Sequence, residues 1–546
     1  MQGDRFYPTA CILLSQALFG CSIRGAQMIL HKVLVVAFFL SSAIPASALI
    51  LERELLDAQK KQQTPQSTLE QIPPPRPGEV RDSRGLTRSQ LVGLGRFLFN
   101  KETFQGNGRT CATCHPAKNN FTIDPQYIAT LPHNDPLFVA ETKPALAKLE
   151  NPALLRKLAL ICENLDGFDK PCVFRGVPHT LGLRMSITPP LDPNLPGNVR
   201  VPGTDVELAN TTGWSGDGAP VGNGADGSLR LFALGAIVQH FPRTLKRVPG
   251  EDFRLPSDLE LDALLEFQLS LGRQKDPDLA SFNFKSAVVE QGKLIFQDQD
   301  PVTGGRCTLC HDNAGANRPP TNLNAGRNTL SDTRVELTRF TPAYLLQPDA
   351  IVVDGGFGKP PVLSPTIPPR TPLPDPGFGN GQFDAPSLVE AAITPPFFHN
   401  NMATTIEQAV GFFASAEFNQ PNPIISLNSD KAIAIASFLR TLGALELIDR
   451  ALGNNSDATD QDRYRGVEYL EVALKNTQDA SKLLRDGVFL LFPEGQRYLE
   501  TAGLLQKKAI KARSTFHRNH LLRYVAAELS KARREMVSEQ GSFIRP

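Results

Sequence analysis

Two short stretches constrain this chain more than any bulk property: "GRTCATCHPAKN" at residues 108–119 and "GGRCTLCHDNAG" at 304–315. Each holds two cysteines separated by two residues, with a histidine directly after the second. At the chain's own Cys and His frequencies such a pentapeptide arises about 0.002 times by chance, so two are not accidental. C-x-x-C-H is the attachment signature of c-type haem. Each thiol adds to a haem vinyl group, and the adjacent histidine supplies the proximal nitrogen to the iron. The pattern assigns Cys111, Cys114 and His115 to one covalently bound haem c and Cys307, Cys310 and His311 to a second. A zinc ion shared by the four cysteines leaves both histidines unexplained. A thiol-redox CxxC needs a βαβ context that the flanking sequence lacks.

Covalent haem of this kind is attached outside the bacterial cytoplasm, and the amino-terminal sequence agrees. From Met28, "MILHKVLVVAFFLSSAIPASA" shows a basic residue, an apolar run from Val33 to Leu40 and a small-residue end at Ala46–Ala48. That is secretory signal grammar, which predicts residues 1–48 as a targeting segment, with residues 1–27 either an upstream mis-start before Met28 or a second signal, and a periplasmic location. "ALFGC", ending at Cys21, resembles a lipoprotein signal only faintly, because its phenylalanine is awkward there. In an oxidising compartment Cys162 and Cys172 close a short loop and are placed to pair; two buried free thiols are the other reading. Net charge is +1, so no bulk field points to nucleic acid or to anionic lipid.

The organisation repeats. Residues 49–84 are polar and proline-bearing and read as a linker. "GLTRSQLVGLGRFLFN" then starts a helix with a capping box at Thr87 and Gln90. The first CxxCH comes next, and a closing helix is predicted at Ser257–Gly272, again with a capping box, at Ser257 and Glu260. "SAVVEQGKLIFQD" precedes the second CxxCH, and "SDKAIAIASFLRTLG" (Ser429–Gly443) comes after it. "FQLSLG" and "FLRTLG" match in register, as do the places of "SLRLFALGAI" and "TIEQAVGFF". The expected fold class is mainly α: two tandem cytochrome c-like haem domains (85–275 and 276–447) plus a C-terminal helical extension (448–546) of about three helices. The proline-rich run 356–381 reads as an inserted surface loop.

With these motifs in place the chain, over residues 86–445, resembles the bacterial di-haem cytochrome c peroxidase superfamily. That superfamily includes the enzyme that matures methylamine dehydrogenase and, more distantly, the rubber oxygenases. The likeness rests on "LGRFLFN" with "CATCHPAKNNFTID", on "RGVPHTLGL" (175–183), on "GWSGDG" (213–218) and on "FDAPSLVEAAITPPFFHNNMATTIEQAVGFF" (383–413). The resemblance implies that Trp214 lies between the haems as an electron bridge. It also implies that His399 sits near the second haem and that Thr394 and Pro396 help hold a calcium ion, although the family's asparagine at that ion is Gly176 here.

Two departures bear on chemistry. The family's distal glutamine and glutamate fall near Phe232 and Pro242, where no carboxylate stands and Gln239 and His240 are the nearest polar groups. The family's methionine or tyrosine at the second haem falls on Phe413, so His399 or Met402 replaces it or that iron stays five-coordinate. His133 is the candidate distal ligand of the first haem, and His240 is the candidate lining its pocket. The lead expectation is a peroxidase-like enzyme, in which electrons pass from a small redox protein (a c-type cytochrome or a cupredoxin) through the second haem and Trp214 to hydrogen peroxide at the first. The alternatives are a dioxygenase like the rubber oxygenases, with dioxygen beside Phe232, and a non-catalytic electron-transfer protein. A homodimer is one arrangement open to the chain.

Overall fold

Thr87 caps the first long helix, as its spacing predicts. Its hydroxyl accepts from the Gln90 backbone N–H, and the Gln90 side chain accepts from the Thr87 N–H. Both orphan donors at the helix start are thereby satisfied. The computed structural model describes residues 54–164, 168, 172–186, 212–214, 229–274, 276–319, 328, 331–335, 341–347, 354–356, 378–379, 381–419, 424–459 and 461–538. The segment read as an export signal and the glycine-rich run 215–228 lie outside them, as does nearly all of the proline-rich insertion.

The fold is mainly α. Its long helices are α1 (Arg88–Lys101), α2 (Leu229–His240), α3 (Asp258–Leu269), α4 (Ala287–Gln297), α5 (Ile406–Phe412), α6 (Ser429–Thr459), α7 (Arg463–Arg485), α8 (Pro493–Ile510) and α9 (Thr515–Met536). Strand β1 (Leu160–Glu163) pairs antiparallel with β2 (Val173–Gly176), and a Cys162–Cys172 disulfide closes that hairpin. Two further short strands, β3 (Asp354–Gly355) and β4 (Phe378–Gly379), pair in parallel.

The sequence repeat has a packing counterpart. Helix α1 crosses α3 at Gly95, where a Cβ would fall on the Ala263 carbonyl oxygen and close to the Phe267 Cβ. Helix α4 crosses α6 at Gly292, where a Cβ would fall on the Ala434 carbonyl oxygen and close to the Phe438 Cβ. In each half a glycine lets two backbones touch, against an alanine and the phenylalanine four residues after it. The helix that precedes each CxxCH is locked to the closing helix by one device.

The closing helices differ in how they end. Gly272 stands at φ +69 and stops the first, as a left-handed C-terminal glycine does. The match in register predicts the same for Gly443, but α6 runs straight through it to Thr459. There the missing side chain makes room for Leu483 of α7 and for Ala392. The residues after each glycine decide the outcome. "RQKDPD" after Gly272 cannot continue a helix, whereas "ALELIDRAL" after Gly443 buries Leu445, Leu447, Ile448 and Ala451. The boundary expected at 447/448 thus falls inside a continuous helix; α7 and α9 pack on that helix, and α8 packs on α7 and α9. Between α8 and α9 the helical run breaks at 511–514, and Ser514 caps α9 by accepting from the His517 N–H.

The stretch read as a linker is tied to the first half. Gln59 donates to the Pro256 carbonyl and to Asp258, Thr64 bonds Ser257, and Thr68 donates to Glu260. The Gln90 side chain reaches the Pro73 carbonyl.

Candidate haem sites

The two motifs share one local geometry. Cys111–Cys114 form a single helical turn and Cys307–Leu309 a 3₁₀ turn. The histidine after each lies outside the helical region, at φ −121, ψ 60 for His115 and φ −128, ψ 64 for His311. Each precedes a pair of left-handed residues, Asn120–Phe121 and Asn313–Ala314. These turns return a carbonyl to the ring. His115 Nδ1 lies 3.0 Å from the Phe121 oxygen, and His311 Nδ1 lies 3.1 Å from the Gly315 oxygen. The Nδ1 proton donates to a carbonyl and the Nε2 lone pair is left for a metal, the arrangement that orients ligating histidines. Burial holds both rings down at about 4, so both are neutral at pH 7. All four cysteines are free and half-buried, and burial pushes Cys111 and Cys307 up to about 12 and Cys114 to about 11.

This donor set fits covalent haem c. Two thiols sit one turn apart, and each motif carries one neutral imidazole with its second nitrogen already engaged. Cys114 faces the apolar cluster of Ile123, Ile128, Leu137, Phe138, Leu155 and Ile161, and Phe99 lies against the His115 ring at 6.1 Å.

Around the first motif the structure adds what the sequence did not offer. Expectation put no carboxylate near Gln239 and His240, yet two arrive from the β1 side. Glu150 and Arg109 form a fully buried ion pair at 2.8 Å, and Glu150 also accepts from the Cys162 N–H. With its amide oriented to satisfy its neighbours, Gln239 donates to His240 Nε2 at 3.0 Å and to Glu163 at 3.2 Å, and accepts from the Asn164 N–H at 2.8 Å. His240 Nε2 is then an acceptor, which puts its proton on Nδ1, 3.9 Å from Glu150. Burial, helped by the Arg109 and Arg247 charges, holds His240 well below its ordinary value, so it is neutral. Burial raises Glu150 despite Arg109. Sequence distance hid this cluster, since Glu150 stands ninety positions before His240. The one available signal was the disulfide-closed hairpin that carries Glu163.

Other expected residues take varied places. Trp214 touches both halves: its Nε1–H donates to the Gly176 carbonyl of β2 at 2.7 Å, and its own carbonyl accepts from the Asp384 N–H at 2.8 Å. Phe232 packs with Leu183, Leu229, Leu265 and Leu269 and against Gly213. His133 stands exposed on the turn at 132–135, which does not suit a buried axial ligand, because that turn is held outward by the Asp135 cap of the next element. Met402 is half-buried.

His399 is buried, stacked on Phe383 at 3.7 Å between centroids and 8° between planes, with its Nε2 lacking a hydrogen-bond partner and 3.9 Å from Asp354. Asp354 and Arg175 form a buried two-pronged ion pair at 2.6 and 2.8 Å. Burial would raise Asp354, but the Arg175 guanidinium outweighs it and holds that carboxyl low. Burial also holds His399 down at about 4. Phe383 bridges to Ser331, whose hydroxyl lies 4.0 Å from Cys310 Sγ, so this group borders the second motif. Phe413 packs among Phe398, Phe412 and Phe418.

The calcium ion that the resemblance implies would draw on the carbonyls of Thr394 and Pro396. Calcium takes six to eight oxygens, and among the described residues no three acidic, histidine or cysteine side chains converge to add carboxylates. The space beside Gly176, where the resemblance implies an asparagine, is filled by Asn401, whose amide donates to the Leu158 and Ala159 carbonyls. The Thr394 hydroxyl donates to the Glu390 and Ala391 carbonyls.

No protein-family model matches the chain, and no curated protein matches its sequence. Among solved structures it is similar to the crystal structure of a MauG-like protein associated with microbial copper homeostasis. The TM-score is 0.34 and the identity 16%, over 70% of this chain and 94% of that one.

Proposed function

We propose that the chain is an exported di-haem c-type oxidoreductase of the peroxidase kind, with one haem on Cys111, Cys114 and His115 and a second on Cys307, Cys310 and His311. The observation that carries this reading is the repetition of one ligand-ready geometry. At both motifs a half-buried, neutral histidine gives Nδ1 to a carbonyl and keeps Nε2 for a metal, and the helix before each motif is locked to its closing helix by the same glycine-mediated crossing. Bound there, haem supplies one-electron chemistry with peroxide or dioxygen.

The chain's own residues supply the rest. The hydrogen bonds of Trp214 to β2 on one side and to Asp384 on the other favour a bridging role between the halves. Gln239, itself held by half-buried Glu163, fixes the ring of His240, and buried Glu150 lies 3.9 Å from its Nδ1. This is the equipment for holding and moving a proton, which favours peroxide chemistry over simple electron transfer. A small c-type cytochrome or a cupredoxin is the proposed donor, and the periplasm the proposed compartment. A second reading, a dioxygenase acting on an apolar substrate, draws support from the apolar wall that Phe232 forms with its leucine neighbours.

Holoprotein made in a host that attaches haem c is expected to carry two covalent haems and to oxidise a reduced c-type cytochrome only when peroxide is added. Replacing Cys307 and Cys310 with serine is expected to leave one haem and to abolish that electron uptake. A colourless protein with unmodified thiols at both motifs sinks the whole reading. Two haems with dioxygen uptake and no peroxide turnover favour the dioxygenase instead.

A further inference from the structure

The helical appendage, the second half of α6 with α7–α9, reaches the first motif at Asn120 through Arg450 and Asp479, and one end of it is unlike the rest of the surface. Phe516 is 84% exposed and Tyr464 83%, the two largest exposures among the large apolar side chains of the described residues. They are brought together by one buried residue. Arg518, 2% exposed, donates to the Gln461 carbonyl at 2.8 Å and to the Asp462 carbonyl at 3.1 Å, which pins the α6–α7 turn to the first turn of α9. Asn519 adds a bond to the Thr459 carbonyl at 3.2 Å. Tyr464 is two positions from Asp462, and Phe516 is two positions from Arg518.

The same end is cationic. Between residues 501 and 527 the sequence holds six Lys and Arg and no Asp or Glu. Lys507, Lys508, Lys511 and Arg513 are exposed at the end of α8 and in the turn after it, and none forms an ion pair among the described residues. At the neighbouring turn exposed Asp462 and Arg465 lie 3.9 Å apart and cancel. The chain's net charge of +1 hides this concentration. No helix of the described residues is long and apolar enough to cross a membrane.

We infer that this end of the appendage is a peripheral docking surface for a bilayer carrying anionic headgroups. Phe516 and Tyr464 enter the interface, and Lys507, Lys508, Lys511 and Arg513 meet the lipid phosphates. Charge complementarity selects an anionic occupant. Two fully presented aromatic rings, held rigidly at the tip of a helical pair, select a lipid boundary over an acidic protein. A tyrosine sits at headgroup depth with its hydroxyl wet, and a phenylalanine buries its ring just below. Clustered cations each strengthen attachment to an anionic surface.

The test is flotation of the full-length exported protein with vesicles of phosphatidylglycerol and phosphatidylcholine, compared with vesicles of phosphatidylcholine alone. Binding to the anionic vesicles alone is expected, weakening as salt rises. Replacing Lys507, Lys508 and Lys511 with Gln is expected to weaken it about a hundredfold, at about fivefold per cation. Phe516→Ser with Tyr464→Ser is expected to lower binding even at low salt. Both variants leave the buried Arg518 in place, and haem content with circular dichroism reports that they fold. Equal binding to both vesicle types, unchanged binding by folded variants, or no binding while an acidic protein is captured instead each overturns the inference.

Discussion

The two halves of this molecule share a frame and differ in what they put on it. Both lock the helix before CxxCH to the closing helix through a glycine, and both orient the histidine by a carbonyl returned through left-handed residues. Beyond that frame they diverge. The first motif is backed by a buried ionic group, Arg109, Glu150 and Arg247, with neutral His240 beside it. The second is bordered by a stacked Phe383–His399 pair against a sealed Arg175–Asp354 bridge. The arginine just before each motif marks the contrast. Arg109 is 1% exposed and paired with Glu150, whereas half-buried Arg306 donates to the Ile424 carbonyl. Repetition of packing has preserved the place where a haem fits, while the surroundings that decide its chemistry were free to change.

Three measurements can break or sharpen this contrast. The largest expected effect is at the arginines. Arg109→Met leaves Glu150 buried without its cation and is expected to cost about 3–5 kcal/mol, while Arg306→Met, which loses a bond to a carbonyl, is expected to cost about 1 kcal/mol. Denaturant unfolding of the two holoproteins checks this, and equal losses would deny that the halves differ in this way.

Next are the glycines. Gly95→Ala and Gly292→Ala each place a methyl on a facing backbone oxygen, which outweighs alanine's better helix propensity, so each is expected to destabilise by about 1–3 kcal/mol. A loss in one half only, read by the same unfolding curves, would show that the repeated crossing is not equivalent in the two.

The smallest effect concerns Glu446 of α6. Burial first, and the Glu390 carboxylate second, push it up to about 8. The unfolded chain releases this proton near 4.5 and the folded chain holds it to about 8, so the folded state binds more protons in that window. Stability from this group therefore falls as pH rises between those values. Glu446→Gln is expected to be neutral at about pH 4.5 and stabilising at about pH 8, on the order of 1–3 kcal/mol after allowance for relaxation around a buried group. The difference in Tm between the two pH values reads it, and a gain that does not grow with pH contradicts the assignment.

What the sequence determined by itself was whatever depends on neighbours within a few residues. The two CxxCH motifs, the capping boxes at Thr87 and Ser257, and the helix that ends near Gly272 all rest on local hydrogen bonds and backbone preference. The repeat was legible because the closing helices end alike, as "FQLSLG" and "FLRTLG", each paired with a CxxCH motif. Only the tertiary structure decided the rest. Gly443 sits in register with Gly272, yet it serves packing against α7 because an apolar helical run comes after it. Glu150 and Glu163 stand far from His240 in the chain and reach it only because the β1–β2 hairpin folds onto the end of α2. The turns that carry Tyr464 and Phe516 are joined through Arg518 and Asn519, from a distant part of the chain. The physical reason is the same in each case. A cap or a covalent motif is satisfied by atoms next door in the chain, whereas a buried charge or a shared surface takes its partners from wherever the fold brings them.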